Sequence, residues 1–360
     1  MQPVGVGVIG CGNISTIYLK VMPTFDSLRV VGCADVVAAR TQQQAAAFGI
    51  QAMTVEELLA DPTIDIVVNL TIPAAHATIA RAALAAGKSV YNEKPLALTF
   101  EEGRALASLA EARGLLIGGA PDTFLGAGLQ TCRRLIDDGV IGEPIAASAF
   151  MLSHGPEAWH PDPAFFYAPG GGPLFDMGPY YLTALVSLIG PVRSVTAMAR
   201  ASFTTRTVGS GPHAGERISV TTPTHIAASL AFASGAIATL VTSFDVWSHS
   251  LPRLEIFGTE GSLHCPDPNT FGGPVAVRRA GETEWHDQPL VTGYDQNSRG
   301  LGVADMAHAL RQGGTPRVAR LPLHVLEVMA AILAAADQGR HVTIATQPPR
   351  PAPLTIPTSQ

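Results

Sequence analysis

The sequence predicts an α/β chain of two domains: a doubly wound parallel sheet over residues 1–121, then an α+β domain with a large, mostly antiparallel sheet over 122–346, followed by a proline-rich tail, 347–360. Three observations lead to this reading. A short valine-rich run, Val4–Ile9, breaks into Gly10-Cys11-Gly12 and is followed by apolar residues at helical spacing (Ile14, Ile17, Tyr18, Val21). Strand-like and helix-like stretches then alternate up to Gly119, the pattern of a parallel sheet whose crossovers are helices. After Pro121 the rhythm changes to longer strand-like runs with few helices between them.

Taken in order, Gly10 permits a tight turn, and Gly12 lets a pyrophosphate approach the backbone where the next helix begins. Ser15 holds the third small position of the G-x-G-x-x-G/A fingerprint. The apolar run 30–34 ends in Asp35, 25 residues after Gly10. A carboxylate at that strand tip accepts from the adenosine ribose hydroxyls of NAD and repels a 2′-phosphate. Arg40, in the following helix, is the group that would pair with the phosphate of NADP. NAD is therefore the expected cofactor and NADP the alternative. The helix after Asp35 closes at Gly49, and capping boxes at Thr54-x-x-Glu57 and Thr99-x-x-Glu102 open two more. Residues 64–70 and 89–95 read as strands with their exits, a helix runs from the Pro73 turn to Gly87, and 115–119 completes the sheet. Ligands of such sheets bind beyond the carboxyl ends of the strands, where Asp35, Thr71, Pro73, Glu93 and Lys94 fall.

In the second domain a helix over 128–138 precedes strands over 145–151, 192–201, 217–222, 226–233, 236–243 and 254–258. Ser234-Gly235 is a hairpin turn, and helices over 303–311 and 324–338 follow. The tail carries five prolines and reads as extended, either unordered or laid on a neighbour.

Composition narrows the function. With 47% apolar and 14% charged residues among 360, the chain is globular and long enough for two cores. A net charge of −6 argues against nucleic acid or an anionic membrane as partner. No basic, apolar leader precedes the first strand and no uncharged apolar run reaches membrane-spanning length, so the expectation is a cytoplasmic protein without a membrane partner. Cys11, Cys33, Cys132 and Cys265 form no C-x-x-C pair and read as reduced core thiols. With no H-E-x-x-H and no Cys/His cluster, no metal is expected, and no G-x-S-x-G elbow suggests a serine nucleophile.

Three stretches carry candidate chemistry. Glu93-Lys94-Pro95 ends a strand on the ligand edge; a lysine there donates to a substrate oxygen, or is an ordinary surface lysine. Gly170-Gly171-Gly172 precedes Asp176, which is expected to begin an apolar helix running to Ile189; Tyr180, four residues on, shares its face. Asp176 then either meets substrate or only caps that helix, and Tyr180 either reacts or only packs. His154, Trp159 and His160, with Phe165, Phe166 and Tyr167, lie on an irregular loop suited to stacking on a sugar face and bonding its hydroxyls, or to packing the loop itself.

Together these residues resemble the glucose–fructose oxidoreductase / inositol dehydrogenase / MocA family. The features that carry the resemblance are the stretch from Gly7 to Ser15, the exit Asn69-Leu-Thr-Ile-Pro73 with His76, Glu93-Lys94-Pro95, the turn Gly139 to Pro144, and Gly-Gly-Gly-x-Leu-x-Asp-x-Gly around Asp176. The resemblance implies NAD(P)-dependent oxidation or reduction of a sugar, cyclitol or related polyol by a Rossmann domain joined to a large-sheet domain, in homodimers or homotetramers. It implies that Gly10, Gly12, Asn13, Ile14, Asp35, Arg40, Thr71, Pro73, His76, Glu93 and Lys94 contact the cofactor, that Lys94 is catalytic, and that Asp176 binds substrate; His154, Trp159 and His160 join the expected substrate site on their side-chain types alone. The family's histidine four residues after that aspartate is Tyr180 here, and its acidic position seven after is Thr183. Tyr180 is therefore the expected acid/base, and the rival reading is that Tyr180 only packs and His154 or His160 supplies the base. A tyrosine with pKa about 10 is a poor base at neutral pH, and a lysine ammonium within about 4–6 Å lowers it; Lys94 is the expected cation.

The expected activity is hydride transfer between nicotinamide and a secondary alcohol or ketone. The competing readings are redox-assisted elimination or glycoside cleavage with tightly held NAD, and a nucleotide-sensing protein without turnover. Strand 226–233 is uncharged on both faces, and few helices are available to cover the second domain's sheet, so a homo-oligomer interface is expected there.

Overall fold

The computed structural model describes residues 2–291 and 293–354. By internal contacts the chain forms two units, Met1–Leu125 with Gln296–Leu326, and Gly126–Asp295 with Glu327–Gln360.

The first unit begins β1 (Val4–Ile9), α1 (Ser15–Val21), β2 (Leu28–Ala34), α2 (Ala38–Phe48), β3 (Gln51–Ala52), α3 (Val55–Ala60), β4 (Ile66–Asn69), α4 (Pro73–Ala85), β5 (Ser89–Asn92), α5 (Phe100–Ala112) and β6 (Ile117–Gly119). Its six strands are parallel in the order β3-β2-β1-β4-β5-β6. This is the Rossmann arrangement, and the strand order reverses between β1 and β4. All six residues of β1 are buried, which is why it reads as an unbroken apolar run. Both capping boxes form: Thr54 accepts from Glu57 N while Glu57 accepts from Thr54 N, and Thr99 and Glu102 do the same. Gly49 closes α2 in the left-handed conformation. The edge strand β3 has no sequence signal: Gln51 and Ala52 are exposed, and only pairing with Gly32 and Cys33 makes them a strand.

The second unit contains α6 (Ala127–Asp137), β7 (Pro144–Leu152), α7 (Gly172–Asp176), α8 (Gly178–Ile189), β8 (Val192–Arg200), β9 (Thr205–Thr207), β10 (Arg217–Ser219), β11 (His225–Phe232), β12 (Ile237–Ser243), β13 (Leu254–Gly258), β14 (Gly261–Cys265), β15 (Ala276–Arg279) and β16 (His286–Asp287). After these come α9 (Leu301–Gln312), α10 (Leu321–Gln338) and β17 (Val342–Thr343). Nine strands form one sheet, β16-β15-β14-β13-β7-β12-β11-β8-β17; only the β7–β12 pair is parallel. One face, with Ile226, Ala228, Leu230 and Phe232 of β11, is buried. The fully buried α8 packs against β7 and α6. Each large side chain in this layer contributes about 1.5–3 kcal/mol by leaving water.

Four expectations are corrected. Residues 217–222 do not join the large sheet; β10 pairs with the unforeseen β9 in a two-stranded ribbon. Asp176 does not begin the apolar helix: it ends α7, and α8 starts at Gly178. Pro179 explains the break, because it has no N–H to offer the carbonyl four residues back and its ring crowds that carbonyl.

The stretch 296–326, assigned by sequence to the second domain, groups with the first unit. Asp122 is the reason: its carboxylate accepts from Gly300 N (2.9 Å) and Gly302 N (3.0 Å), capping α9 from 178 and 180 residues away. Met306 and Val318 also press on Gly118 of β6. Burial pushes the Asp122 carboxyl up to about 6, against the two amides that favour its charge.

Through residue 354 the tail is not unordered but laid along its own chain: Leu354 N donates to Gln130 Oε1 (2.7 Å), Gln347 Nε2 to Val192 O (2.9 Å), and Arg350 pairs with Asp137. The rest of the tail, 355–360, lies outside the described residues. Helix α10 is long and apolar enough to cross a membrane, but Val328, Met329, Ile332 and Ala335 are buried in the protein.

Candidate functional site

In the first unit the residues singled out by sequence gather at the carboxyl ends of β1, β2, β4 and β5. Gly10 has φ 103°, and a Cβ there would lie 2.6 Å from the Leu70 carbonyl carbon, so only glycine passes this close to β4. Gly12 is different: a Cβ there would meet nothing within 4 Å. Asn13 and Ile14 beside it are exposed. The turn thus offers open backbone to a ligand.

Asp35 is held on both carboxylate oxygens, Oδ2 by Cys11 N (2.7 Å) and Oδ1 by Val37 N (2.8 Å). Each oxygen keeps lone-pair capacity for a hydroxyl. Asp35 borders a cleft of about 470 Å³ that Thr41, Gln42, Met53 and Val55 also line. Sequence reasoning missed these four; the only signal was their place after β2 and around the edge strand β3. Arg40 is exposed on α2. This geometry fits the adenosine end of a dinucleotide, with Asp35 on the ribose and the Gly12 turn on the pyrophosphate.

Two residues assigned to the cofactor turn inward instead. Glu93 is buried and spends its carboxylate on the fold, Oε1 accepting from Tyr18 Oη (2.9 Å) and Oε2 from Lys94 N (2.8 Å). Burial, and then the Glu93 charge, push the Tyr18 phenol well above its ordinary range, so Tyr18 donates. His76, 1% exposed, sets Nδ1 2.7 Å from Pro95 O and Nε2 3.0 Å from Thr71 O. The α4 face that carries His76 packs inward, and its ring is spent on the backbone of the β4 and β5 exits. Thr71, half-buried, donates Oγ1 to Asn69 Oδ1 (2.7 Å), and Pro73 opens α4. Lys94 is half-buried at the β5 exit.

In the second unit Tyr180 is 7% exposed on α8 and Asp176 half-buried at the end of α7. The loop after β7 is organised by an ionic cluster with no local sequence signal. Arg206 of β9, buried, donates Nη1 to Glu157 Oε1 (2.9 Å) and Nη2 to Phe244 O (2.8 Å), and also pairs with Asp245. Tyr167 donates to Glu157 in turn. His154 lies 3.3 Å from Arg206 Nη1 through Nε2, and the exposed Trp247 stacks on its ring with centroids 3.3 Å apart. Burial first and the Arg206 charge second hold His154 below its ordinary pKa. His160 accepts at Nδ1 from Asp162 N (3.1 Å) and meets Trp159, Phe165 and Phe166 edge-on. Trp159 itself is 67% exposed. Among the described residues no three His, Cys, Asp or Glu side chains gather to hold a metal ion.

A Rossmann sheet whose strand tips combine an open glycine turn with an anchored carboxylate beside a cleft defines a dinucleotide-binding protein of the two-unit α/β class. Residues 4–119 match the model described as "Oxidoreductase family, NAD-binding Rossmann fold", and residues 129–264 match the "GFO/IDH/MocA C-terminal domain". The chain belongs to this family of NAD-binding oxidoreductases.

It is 31% identical to dTDP-3,4-didehydro-2,6-dideoxy-alpha-D-glucose 3-reductase of Streptomyces antibioticus over 85% of this chain and 88% of that protein. It is 30% identical to inositol 2-dehydrogenase of Rhizobium meliloti over 79% and 81%. Other matches are partial: the chain spans 56% of an uncharacterized oxidoreductase of Schizosaccharomyces pombe and 40% of D-xylose dehydrogenase of Paenarthrobacter nicotinovorans. An NAD binding oxidoreductase from Klebsiella pneumoniae has a similar solved structure, with TM-score 0.79 and 25% identity over 96% of this chain and 100% of that one.

Proposed function

We propose that this chain is a cytoplasmic NAD-dependent dehydrogenase or reductase acting on a secondary alcohol or ketone of a sugar, cyclitol or related polyol. The observation that carries the proposal is Asp35, anchored by two backbone amides at the tip of β2 beside the cleft. The relatives named as acting on a sugar nucleotide and on inositol support the substrate class. When bound, the dinucleotide supplies the hydride donor or acceptor. The chain's own residues do the rest: Lys94 donates to the substrate oxygen, Asp176 binds hydroxyls, and Tyr180 Oη exchanges the hydroxyl proton.

A screen of NAD⁺ reduction over sugars and cyclitols, D-xylose and myo-inositol included, tests the activity. Net NADH release from one alcohol supports it. Cofactor binding with no turnover on any would favour the nucleotide sensor, and product formation without net NADH the elimination reading. Calorimetric titration tests the cofactor: NAD⁺ should bind at least about tenfold more tightly than NADP⁺, because the Asp35 carboxylate repels a 2′-phosphate. Tighter NADP⁺ would instead put Arg40 on that phosphate.

Assembly is part of the proposal. The second face of the nine-stranded sheet is open in the single chain: Met198 is 82% and Ile237 60% exposed, and Ala227 and Ser229 lie exposed between them. The register places Ala227 opposite Met198 and Val241, and Ala231 opposite Ser194 and Ile237. Small, uncharged residues over several strands form the flat apolar surface that a second copy covers. Light scattering at micromolar concentration should report a homodimer or homotetramer; a monomer refutes the interface.

A further inference from the structure

We propose that His76 is a positioning residue for Lys94: its ring holds the carbonyl of Pro95, the residue after Lys94, against the exit of β4, and so fixes the backbone from which the lysine extends. The proposal rests on the catalytic role assigned to Lys94 above.

The contacts around His76 form a connected set that is buried at Pro95, Asn69 and Asn92 and part-buried at Thr71. His76 Nδ1 lies 2.7 Å from Pro95 O, and Nε2 lies 3.0 Å from Thr71 O. Asn69 Nδ2 donates to His76 O (3.1 Å) and to Asn92 Oδ1 (3.0 Å), and Asn92 Nδ2 donates to Leu96 O (2.9 Å). Thr71 N and Oγ1 both donate to Asn69 Oδ1. Glu93 Oε2 accepts from Lys94 N. The backbone around Lys94 is thus held by side chains on both sides, at Lys94 N before it and at the Pro95 and Leu96 carbonyls after it.

Pro95 O and Thr71 O are both acceptors, a neutral ring can donate to only one of them, and we take the shorter contact, at Nδ1, as the donated one. The Asn69–Asn92 pair alone would join β4 to β5. The histidine adds a tie to the one residue that follows Lys94. A lysine meant to place its ammonium on a substrate oxygen needs that tie, because a displacement of about 1 Å at a reacting group costs roughly 10²-fold in rate.

The test uses the whole protein. His76→Asn keeps an amide donor where Nδ1 stands, and His76→Gln keeps one where Nε2 stands. His76→Leu keeps neither. With the best alcohol from the screen, His76→Leu and His76→Gln should lower kcat about 10- to 100-fold while NADH affinity, followed by fluorescence, changes less than about threefold. His76→Asn should recover most of the loss. In a Lys94→Ala background the His76 changes should add nothing, because both act through one group. Multiplying losses, or rescue by Gln and not Asn, overturn the proposal.

A second readout is independent of turnover. The acetylation rate of Lys94 and amide exchange at residues 96–98 should rise at least about fivefold in His76→Gln but not in His76→Asn, with exchange in α3 unchanged. Unchanged rates at Lys94 overturn the proposal even if no alcohol is turned over. Changed rates without turnover support the placement and leave the failure with the functional reading.

Discussion

Gly10→Ala should destabilise the first unit by about 3 kcal/mol or more and abolish NADH binding, whereas Gly12→Ala should leave stability unchanged and weaken NADH binding at least about tenfold. The two glycines sit two residues apart in one motif but do different work. At Gly10 the backbone has φ 103°, and a Cβ would lie 2.6 Å from Leu70 C and O and 2.7 Å from Thr71 N. These are backbone atoms of a buried strand exit, so no side chain can swing aside. Left-handed backbone costs a non-glycine residue about 1–2 kcal/mol, and the clash adds to it. A loss of this size lowers Tm by roughly 6–12 °C in a unit of this length.

At Gly12 a Cβ would meet nothing, so the free protein accepts alanine. A ligand phosphate approaching that backbone does not. Thermal denaturation together with NADH titration separates the cases. A Gly12→Ala protein of unchanged affinity would show that no ligand comes near that turn. A stable Gly10→Ala protein would contradict the packing of β1 on the β4 exit.

Tyr180→Phe should lower kcat roughly 10²-fold or more, with NADH affinity intact, because phenylalanine preserves the packing of this nearly buried ring and removes only the hydroxyl. The structure weakens one rival base. His154 directs Nε2 at the Arg206 guanidinium (3.3 Å), lies under Trp247, and is held below its ordinary pKa. His160 already uses Nδ1 to accept from Asp162 N and leaves Nε2 as its remaining ring nitrogen. His154→Ala and His160→Ala should therefore affect KM more than kcat. Near-normal kcat in Tyr180→Phe, with loss of kcat in either histidine variant, would move the proton to the loop.

What could be read without coordinates was local. The glycine turn, the Gly49 cap, and the two capping boxes depend on residues within four positions of one another, and they form as the sequence dictates. The Asp35 strand tip follows from the same logic, since a buried parallel strand announces its own end. The α7–α8 break was also legible, through Pro179, but was outweighed by the apolar run around it.

What only the tertiary structure decided involves partners far apart in sequence. Asp122 caps α9 across 178 residues, and this draws 296–326 into the first unit. Arg206 gathers Glu157 and Asp245 from 49 and 39 residues away and so shapes the loop that carries His154. His76 and Glu93 carry side chains that suit a ligand as well as a fold; their direction was set by Pro95 and Tyr18, 19 and 75 residues distant. A polar side chain is drawn to whichever donor or acceptor burial leaves unpaired, and only packing determines which group that is. The sequence by itself thus determined the class of sheet, the glycine turn and the carboxylate at the tip of β2, while the fold decided which of the remaining polar residues hold the protein together.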